Sequence, residues 1–420
     1  MIKDLGLEVV WVALLRATSV LLLFLMNLLL ARHLSVQEFG LFSFAFTMAS
    51  ACALFASLGF PIALMRLVPP ALDVQNYPVV RGLLIKSYQI TLLCSLLLAL
   101  LMIPIAMFMF SGETSQGLLY AAMLLPSLSL LVLHGGAFRS IHYIRESVFW
   151  GQLLLLLLMV LALEWVSINH IDTAVYVYVG FASLIALIGL FRLIYIVPNQ
   201  VLASQSEYKT RTWLHLTLPM AVVAGFQFLI ERVDVVLLGF LSDMQTVGIY
   251  HAASRIAVLI SFILVTINFI FAPRLSSAFH AGDMQRFAAL IQASIRWSSA
   301  AALPLLLAIL IWPEYLLKLF GSDFVTGTTI LQILALGQFV NALTGATGIA
   351  LVMIDRQRLV AMGLLVAVSL QIILSVLVFP YYGASGIALV TVAVSAALNV
   401  SWYATIKQIM NRSVEQRLTA

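Results

Sequence analysis

The sequence predicts an all-α integral membrane protein with about twelve transmembrane helices. Of the 420 residues, 63% are hydrophobic and 9% are charged, whereas soluble domains carry roughly 25% charged residues. The apolar runs are about 20 to 27 residues long, which is the length that a helix needs to cross a bilayer. Strands of a membrane barrel would instead alternate in polarity over about ten residues. We therefore expect helices, without a soluble domain of any size.

Twelve apolar runs of spanning length form two sets of six. Short connections with turn residues separate them, and the polar stretch 199–212 is the linker-like segment near the middle. The first set comprises 7–31, 39–65, 83–110, 117–138, 148–168 and 173–197. The second set comprises 213–240, 247–272, 291–311, 327–353, 359–379 and 384–406. We predict an N-terminal lobe, residues 1–200, and a C-terminal lobe, residues 210–420, each with six helices.

Composition and motifs exclude several classes of function. The formal net charge is +5, but no soluble basic patch exists to bind nucleic acid. There is no GxxxxGK[ST] loop for a nucleotide, and neither an HExxH motif nor a paired Cys/His ligand set for a metal. The loops are too short for a membrane-embedded transferase. We therefore expect neither an enzyme nor a bound metal or cofactor.

Positive charge is distributed unevenly between the two sides. If the N-terminus, the loops after even-numbered spans and the C-terminus are cytoplasmic, that side holds 17 Lys and Arg residues. The opposite loops hold only Arg32 and Lys318. Because cytoplasmic loops are enriched in Lys and Arg, both termini are predicted to face the cytoplasm. One miscounted helix would destroy this alternation, so the bias also supports twelve spans.

The two halves share a short sequence pattern. Gly40 follows the start of span 2, Gly248 follows the start of span 8, and the spans end at Arg66 and Arg274 with the same offset of 208 positions. Both spans run in the same direction, so the repeat is parallel in the membrane. Parallel repeats of this kind are a transporter architecture in which the substrate site lies between the lobes.

Acidic and polar residues follow one face of span 7. Gln227, Glu231 and Asp234 are spaced i, i+4, i+7, as on one side of a helix. Arg232 points roughly 100° away from that face. Arg255 in span 8 is as far beyond the intervening loop as these acids are before it, so they can meet at the same depth.

Two interpretations of these charges remain open. In the first, Arg255 neutralises Glu231 or Asp234 and the cluster only holds spans 7 and 8 together. In the second, the charges line a water-filled cavity and bind an anion or a coupling ion, because charges inside a membrane are costly and usually functional. Arg16 lies near the middle of span 1, with Asn27 on the same face of the helix. Together with Arg232 and Arg255 it makes three cations, against the two acids of span 7. At least one buried cation then lacks a partner, which favours an anionic ligand.

Rows of small or uncharged polar residues occur in three other spans. Small and hydroxyl residues commonly allow membrane helices to pack closely, and we interpret these rows mainly as packing surfaces. They comprise Ser43, Thr47, Ser50 and Ser57 in span 2, Gln338, Asn341, Thr344, Gly345 and Gly348 in span 10, and Thr391, Ser395 and Asn399 in span 12.

Several segments, in order, resemble a known family of bacterial polysaccharide transporters. The first runs from Ala31-Arg32-His33-Leu34 to Glu38-Phe39-Gly40-Leu41-Phe42, and the second from Glu231-Arg232-Val233-Asp234 to Val247-Gly248-Ile249-Tyr250. The last two are Asp355-Arg356-Gln357-Arg358 and the stretch from Pro380 to Ala388. The similarity covers almost the whole chain, and the order and spacing of the segments are more specific than any one of them. The family comprises the lipid-linked oligosaccharide flippases, which translocate O-antigen and exopolysaccharide units, within the superfamily that also holds multidrug and toxin extruders.

The resemblance implies a mechanism and a location. It implies two lobes around a cationic central cavity, alternating access, and a substrate of undecaprenyl-pyrophosphate-linked sugars that moves from the cytoplasmic to the periplasmic leaflet of the bacterial inner membrane. Substrate-binding candidates are Arg16, Asn27, Gln227, Arg232 and Arg255. Asp234, with Glu231 as a second candidate, is assigned to ion coupling. Membrane lipids, and the polymerase and glycosyltransferases of a lipopolysaccharide or exopolysaccharide pathway, are the expected partners.

Two alternatives compete with this function. A cation-coupled multidrug extruder of the same superfamily would have a more acidic and aromatic cavity. A non-transporting scaffold of an envelope-polymer assembly complex would need no buried unpaired charges, so replacing Arg16 or Asp234 would leave it working.

Overall fold

Long helices make up the computed structural model of the protein, which describes residues 2–166 and 168–418. Side chains are described except those of residues 1–10, Ala13, Ser167, Phe269 and 412–420. Lys3, Arg412 and Arg417, which contribute to the predicted charge bias, therefore lie outside the described side chains. The described residues contain helices and no strand, so the predicted all-α class is confirmed.

The helices follow one another with short connections. Those of the first part are α1 Ile2–His33, α2 Val36–Ala56, α3 Phe60–Asp73, α4 Tyr77–Met109, α5 Gly112–Ser140, α6 Ile144–Val148, a π-helical turn Phe149–Leu153, α7 Leu154–Trp165, α8 Ile171–Ile196 and α9 Asn199–Ala203. Those of the second part are α10 Thr210–Leu241, α11 Met244–His280, α12 Met284–Ile311, α13 Pro313–Lys318, a 3₁₀ turn Ser322–Gly327, α14 Thr328–Thr344, α15 Thr347–Met353 and α16 Gln357–Leu418.

The described helices accommodate the predicted spans. Ten helical segments are long and apolar enough to cross a membrane. One of them covers residues 357–411 and contains the last two predicted spans, which are separated at Gly383, where φ is +55°. The 32-residue α10 contains the predicted span 213–240. Length and composition thus support a multi-pass membrane protein.

Two predicted spans are interrupted at residues whose backbone angle φ is positive. The predicted run 39–65 is divided by Leu58 and Gly59, with φ of 46° and 75°, so α2 ends at Ala56 and α3 begins at Phe60. The predicted run 327–353 is divided at Gly345, with φ of 61°. No charged residue lies near either break, and for this reason an apolar run alone did not reveal them.

The chain forms two compact units. The first comprises residues 1–228 and 242–248, and the second comprises residues 229–241 and 249–420. The first unit thus includes the first residues of α11, and the second begins within α10. The proposed division into lobes of residues 1–200 and 210–420 remains a prediction.

Two glycines allow a very close helix crossing in the first unit. A Cβ added to Gly40 of α2 would lie 1.7 Å from the Met244 carbonyl oxygen, and one added to Gly248 would lie 2.3 Å from the Val36 carbonyl oxygen. The backbones of α2 and of the start of α11 are therefore in direct contact. These are the two glycines that the internal repeat aligns.

Acidic and aromatic side chains connect further helices of the first unit. Glu113 at the start of α5 accepts a hydrogen bond from the backbone N–H of Met244 at 3.3 Å and another from the amide of Gln37. His134 of α5 is buried, and its Nε2 donates to the Ala186 carbonyl of α8 at 2.7 Å. Its Nδ1 must then accept from the hydroxyl of Tyr88 in α4, also at 2.7 Å. This histidine is a structural link between three helices.

The helices of the second unit pack in the order α12, α14 and α16. The hydroxyl of the buried Ser294 in α12 accepts a hydrogen bond from the backbone N–H of Ala346 at 3.2 Å. This bond satisfies a backbone donor that the break at Gly345 leaves outside α14 and α15.

Candidate functional site

A buried carboxylate, Asp234 of α10, lies in the second unit. It is only 5% exposed. Its Oδ2 accepts a hydrogen bond from the Tyr250 hydroxyl at 2.7 Å, and its Oδ1 accepts one from the Val235 N–H at 2.8 Å. Both donors are neutral, and among the described residues Asp234 takes part in no ion pair. A buried carboxylate without a cation in contact is costly, so this position is a candidate for binding a proton or a cation.

Polar contacts extend from this carboxylate to α16. The Thr391 hydroxyl lies within hydrogen-bonding reach of the Tyr250 hydroxyl, and Gln371 Nε2 donates to Thr391 Oγ1 at 2.9 Å. Gln371 Oε1 and the hydroxyl of Ser375, one helical turn later, are buried and have no partner among the described residues. We call these five residues, Asp234, Tyr250, Gln371, Ser375 and Thr391, the Asp234 cluster. It is rich in oxygen atoms, which are the ligands that hard cations prefer, and its carboxylate can bind a proton.

The predicted ion pair between Arg255 and an acid of α10 does not form among the described residues. Arg255 of α11 is 8% exposed, and its Nε has no hydrogen-bond partner. Because the guanidinium remains charged in proteins, its burial calls for an anion that the described side chains do not supply. The interpretation of Arg255 as a structural partner of Asp234 or Glu231 is therefore wrong for this structure.

The other predicted residues of α10 are more accessible than Asp234. Gln227 and Glu231 are exposed and Arg232 is half-buried. Arg232 and Glu231 are close enough to interact electrostatically but form no ion pair among the described residues. The stripe predicted from i, i+4, i+7 spacing therefore has two exposed members and one buried member.

Arg16 and Asn27 belong to the first unit. Arg16 is exposed on α1 and lies within range of charge repulsion from Arg139, in the last turn of α5. The position of Arg16 near the middle of span 1 and its role in substrate binding remain predictions. Asn27 is buried, and its Nδ2 donates to the Leu23 carbonyl at 2.7 Å.

Sequence reasoning did not assign Tyr250, Gln371 or Ser375 to a site, and it assigned Thr391 to helix packing. One signal was available for Tyr250, because it lies as far after Ser242 in the α10–α11 connection as Asp234 lies before it. Residues placed in this way lie at the same depth in neighbouring antiparallel helices. For Gln371 and Ser375, the sequence offers i, i+4 spacing but no indication of which helix they contact.

The helices and the buried charges define a polytopic helical membrane protein with polar groups inside its second unit. The chain belongs to the family described as polysaccharide biosynthesis protein, whose sequence profile matches residues 5–279. The MatE profile matches residues 219–377. A curated relative is the probable low-salt glycan biosynthesis flippase Agl15 of Haloferax volcanii, which is 26% identical over 172 residues. That match covers 41% of this chain and spans only 36% of the relative's length.

Solved structures share the fold over nearly the whole chain. A multidrug resistance MATE family transporter of the MOP superfamily, in an inward-facing conformation, matches with a TM-score of 0.79 and 13% identity over 94% of this chain and 96% of its own. The lipid II flippase MurJ, in an inward closed conformation, matches with a TM-score of 0.71 and 14% identity over 95% and 87%. A MOP superfamily transporter from Pyrococcus furiosus matches with a TM-score of 0.61 and 12% identity over 96% and 94%. The chain therefore has the fold of the MOP superfamily transporters.

Proposed function

We propose that this protein is a flippase that moves undecaprenyl-pyrophosphate-linked oligosaccharide from the cytoplasmic to the periplasmic leaflet by alternating access. The observation that carries the proposal is Arg255, a buried arginine with an unpartnered Nε in the part of the chain that the structure describes. A pyrophosphate is the kind of anion that a guanidinium binds well. The family description, polysaccharide biosynthesis, supports a glycan substrate, and so does the name of the archaeal relative, a glycan biosynthesis flippase.

The remaining candidates take secondary roles in this proposal. Arg232 supplies a second cation on α10, while Gln227 and Asn27 offer amide groups to sugars. Arg16 is an exposed cation of α1, and we assign it to the entry of the pyrophosphate rather than to its binding at the centre. The central cavity between two lobes, the bacterial inner membrane and the cytoplasmic termini belong to the same proposal, as do a polymerase and glycosyltransferases as partners.

We assign ion coupling to Asp234, with Glu231 as the second candidate. Binding of a proton or a cation by the Asp234 cluster would neutralise the carboxylate and change its hydrogen bond to Tyr250. This contact joins α10 to α11, and a ligand that alters it favours one conformation over another, as a coupling site requires. The unpartnered oxygens of Gln371 and Ser375 support this assignment.

A second candidate function is cation-coupled drug extrusion. The structural likeness to a multidrug transporter and the MatE match to residues 219–377 favour it. Such a protein binds cationic drugs, and the buried arginine opposes this because like charges repel. A transport assay separates the two functions.

The test is translocation in proteoliposomes. Purified protein is reconstituted with undecaprenyl-pyrophosphate oligosaccharide, and the sugar that reaches the outer leaflet is labelled by a membrane-impermeant oxidant. We expect translocation by the wild type and its loss in Arg255→Gln, with Arg286→Gln, an exposed arginine of α12, as the matched control. Uptake of ethidium without movement of the lipid-linked sugar would identify an extruder instead. Failure of both assays, with an intact fold, would favour the scaffold.

A further inference from the structure

Two arginines line a cavity in the first unit. The cavity has a volume of about 450 Å³ and is lined by Leu15, Arg145, Glu146, Phe149, Trp150 and Arg192. These residues come from α1, α6, the π-helical turn and α8. Two cations, one acid and three apolar walls therefore meet in one opening.

Glu146 holds one of the arginines in place. Its Oε1 accepts from Arg192 Nη2 at 2.7 Å and from Arg192 Nε at 3.3 Å, while its Oε2 accepts from the Trp150 indole N–H. Nη1 of Arg192 makes no hydrogen bond to a described residue and the side chain is 39% exposed. A fixed guanidinium with free donors is prepared for a phosphate, because less side-chain entropy is lost when the ligand binds.

Positive charge dominates around the opening. Arg145 is exposed and is bonded to no described side chain. Arg192 lies opposite it on α8, so two arginines and the single acid Glu146 are the charged residues that line the cavity. This excess favours an anionic ligand with more than one acceptor oxygen.

The π-helical turn supplies the aromatic wall. Phe149 and Trp150 are consecutive, yet both line the cavity, and their rings meet edge to face with centroids 5.1 Å apart. A π turn is often found at a functional site, because it changes the direction of side chains within a helix. Amphipathic tryptophans and arginines together are typical of the level of lipid headgroups.

We propose that this cavity binds the headgroup phosphate of an anionic phospholipid from the leaflet that the charge bias predicts to be cytoplasmic. Arg192 and Arg145 contact the phosphate oxygens, and Leu15, Phe149 and Trp150 contact the first methylenes of an acyl chain. The apolar wall favours a lipid over a free anion, since a soluble phosphate leaves that surface uncovered. This site is independent of the proposed transport, because it uses neither Arg255 nor Asp234.

The test is lipid binding to the purified full-length chain in detergent, measured by native mass spectrometry. Phosphatidylglycerol and phosphatidylcholine with the same acyl chains are compared. We expect one tightly retained phosphatidylglycerol on the wild type, and retention about fivefold weaker in Arg145→Gln, as the loss of one charge near an anionic headgroup implies. Arg145→Gln combined with Arg192→Gln should weaken retention further. Arg286→Gln, which removes an exposed arginine elsewhere, should bind as the wild type does.

Arg145 is the more informative position, because it is exposed and its replacement breaks no contact in the described structure. The proposal is overturned if both lipids are retained equally, or if Arg286→Gln loses as much binding as Arg145→Gln. Stronger retention of undecaprenyl phosphate than of phosphatidylglycerol would assign the cavity to the substrate carrier and overturn the phospholipid. Displacement of phosphatidylglycerol by inorganic phosphate would show that the site takes the free anion, and it would overturn the proposal as well.

Discussion

Arg255 and Asp234 are buried charges of opposite sign in one unit, and they do not neutralise each other. Breaking a buried ion pair by removing one partner costs about 3–5 kcal/mol. Here neither charge has a described partner of opposite sign in contact. Their burial therefore lowers the stability of the fold, which separates the functional interpretation of these residues from the structural one.

Replacement of Arg255 by Met tests this separation. We expect Arg255→Met to keep or raise the melting temperature in detergent, because it removes an unpaired buried charge at similar volume. Translocation of lipid-linked oligosaccharide should be lost in the same variant. A decrease in stability of about 3 kcal/mol or more would instead show that Arg255 braces the fold. Arg255→Lys, which retains the charge without the planar fork, should recover only part of the transport.

Replacement of Asp234 by Asn tests the coupling role. The amide keeps the size of the side chain and can still accept from the Tyr250 hydroxyl, but it cannot bind a proton or neutralise a cation. We expect flipping by Asp234→Asn to become insensitive to the imposed proton or sodium gradient in proteoliposomes. Tyr250→Phe, which keeps the carboxylate but removes the hydrogen bond that couples it to α11, should respond to the gradient more weakly than the wild type. If Asp234→Asn responds to the gradient as the wild type does, Asp234 is only a structural residue.

At the scale of helices, backbone contacts matter more than hydropathy. The contact between α2 and the start of α11 depends on the missing side chains of Gly40 and Gly248, and the break between α2 and α3 depends on a left-handed backbone at Gly59. Each glycine permits a geometry that a Cβ would obstruct. The glycines therefore fix the point at which α2 crosses α11 and the point at which α2 ends, although the sequence around them is apolar.

Alanine at a glycine should destabilise the protein more, the less space there is for the new Cβ. In Gly40→Ala the new Cβ would lie 1.7 Å from a backbone oxygen, so we expect a loss beyond the roughly 1–3 kcal/mol of ordinary overpacking and little folded protein in detergent. Gly180→Ala in α8 is the matched control, because no atom lies within 4 Å of its Cβ. Equal thermal stability of the two variants in detergent would contradict the close crossing.

At the scale of the whole molecule, the charge bias and the repeat constrain the chain more than any motif does. Seventeen Lys and Arg residues against two predict the orientation, and the described helices accommodate the twelve spans that this alternation requires. The offset shared by Gly40 and Gly248 further predicts that residues 1–200 and 210–420 superpose by rotation about the membrane normal.

Reporter fusions test this topology. A reporter after Ala420 should be active on the cytoplasmic side, and one in the loop near Asp323 should be active on the opposite side. Three predicted spans, 327–353, 359–379 and 384–406, separate the two positions, and an odd number puts them on opposite sides. A third fusion near Asp283 should report the cytoplasm. If Ala420 and Asp323 report the same side, the helix count and the orientation are both wrong.

Hydropathy along the chain was enough to predict the helical membrane class and its spans, while the distribution of charge gives an orientation that stays a prediction. The sequence also located Asp234 and Arg255, since charged residues are conspicuous in apolar helices. Helix packing, in contrast, was needed to show that these two do not pair, and that a chain of contacts runs from the carboxylate through Tyr250 and Thr391 to Gln371. The physical reason is that partners of a side chain depend on helix rotation and on contacts between distant segments. Neither quantity is encoded in local composition, so residues 371 and 391 became part of a site only when α10, α11 and α16 were packed together.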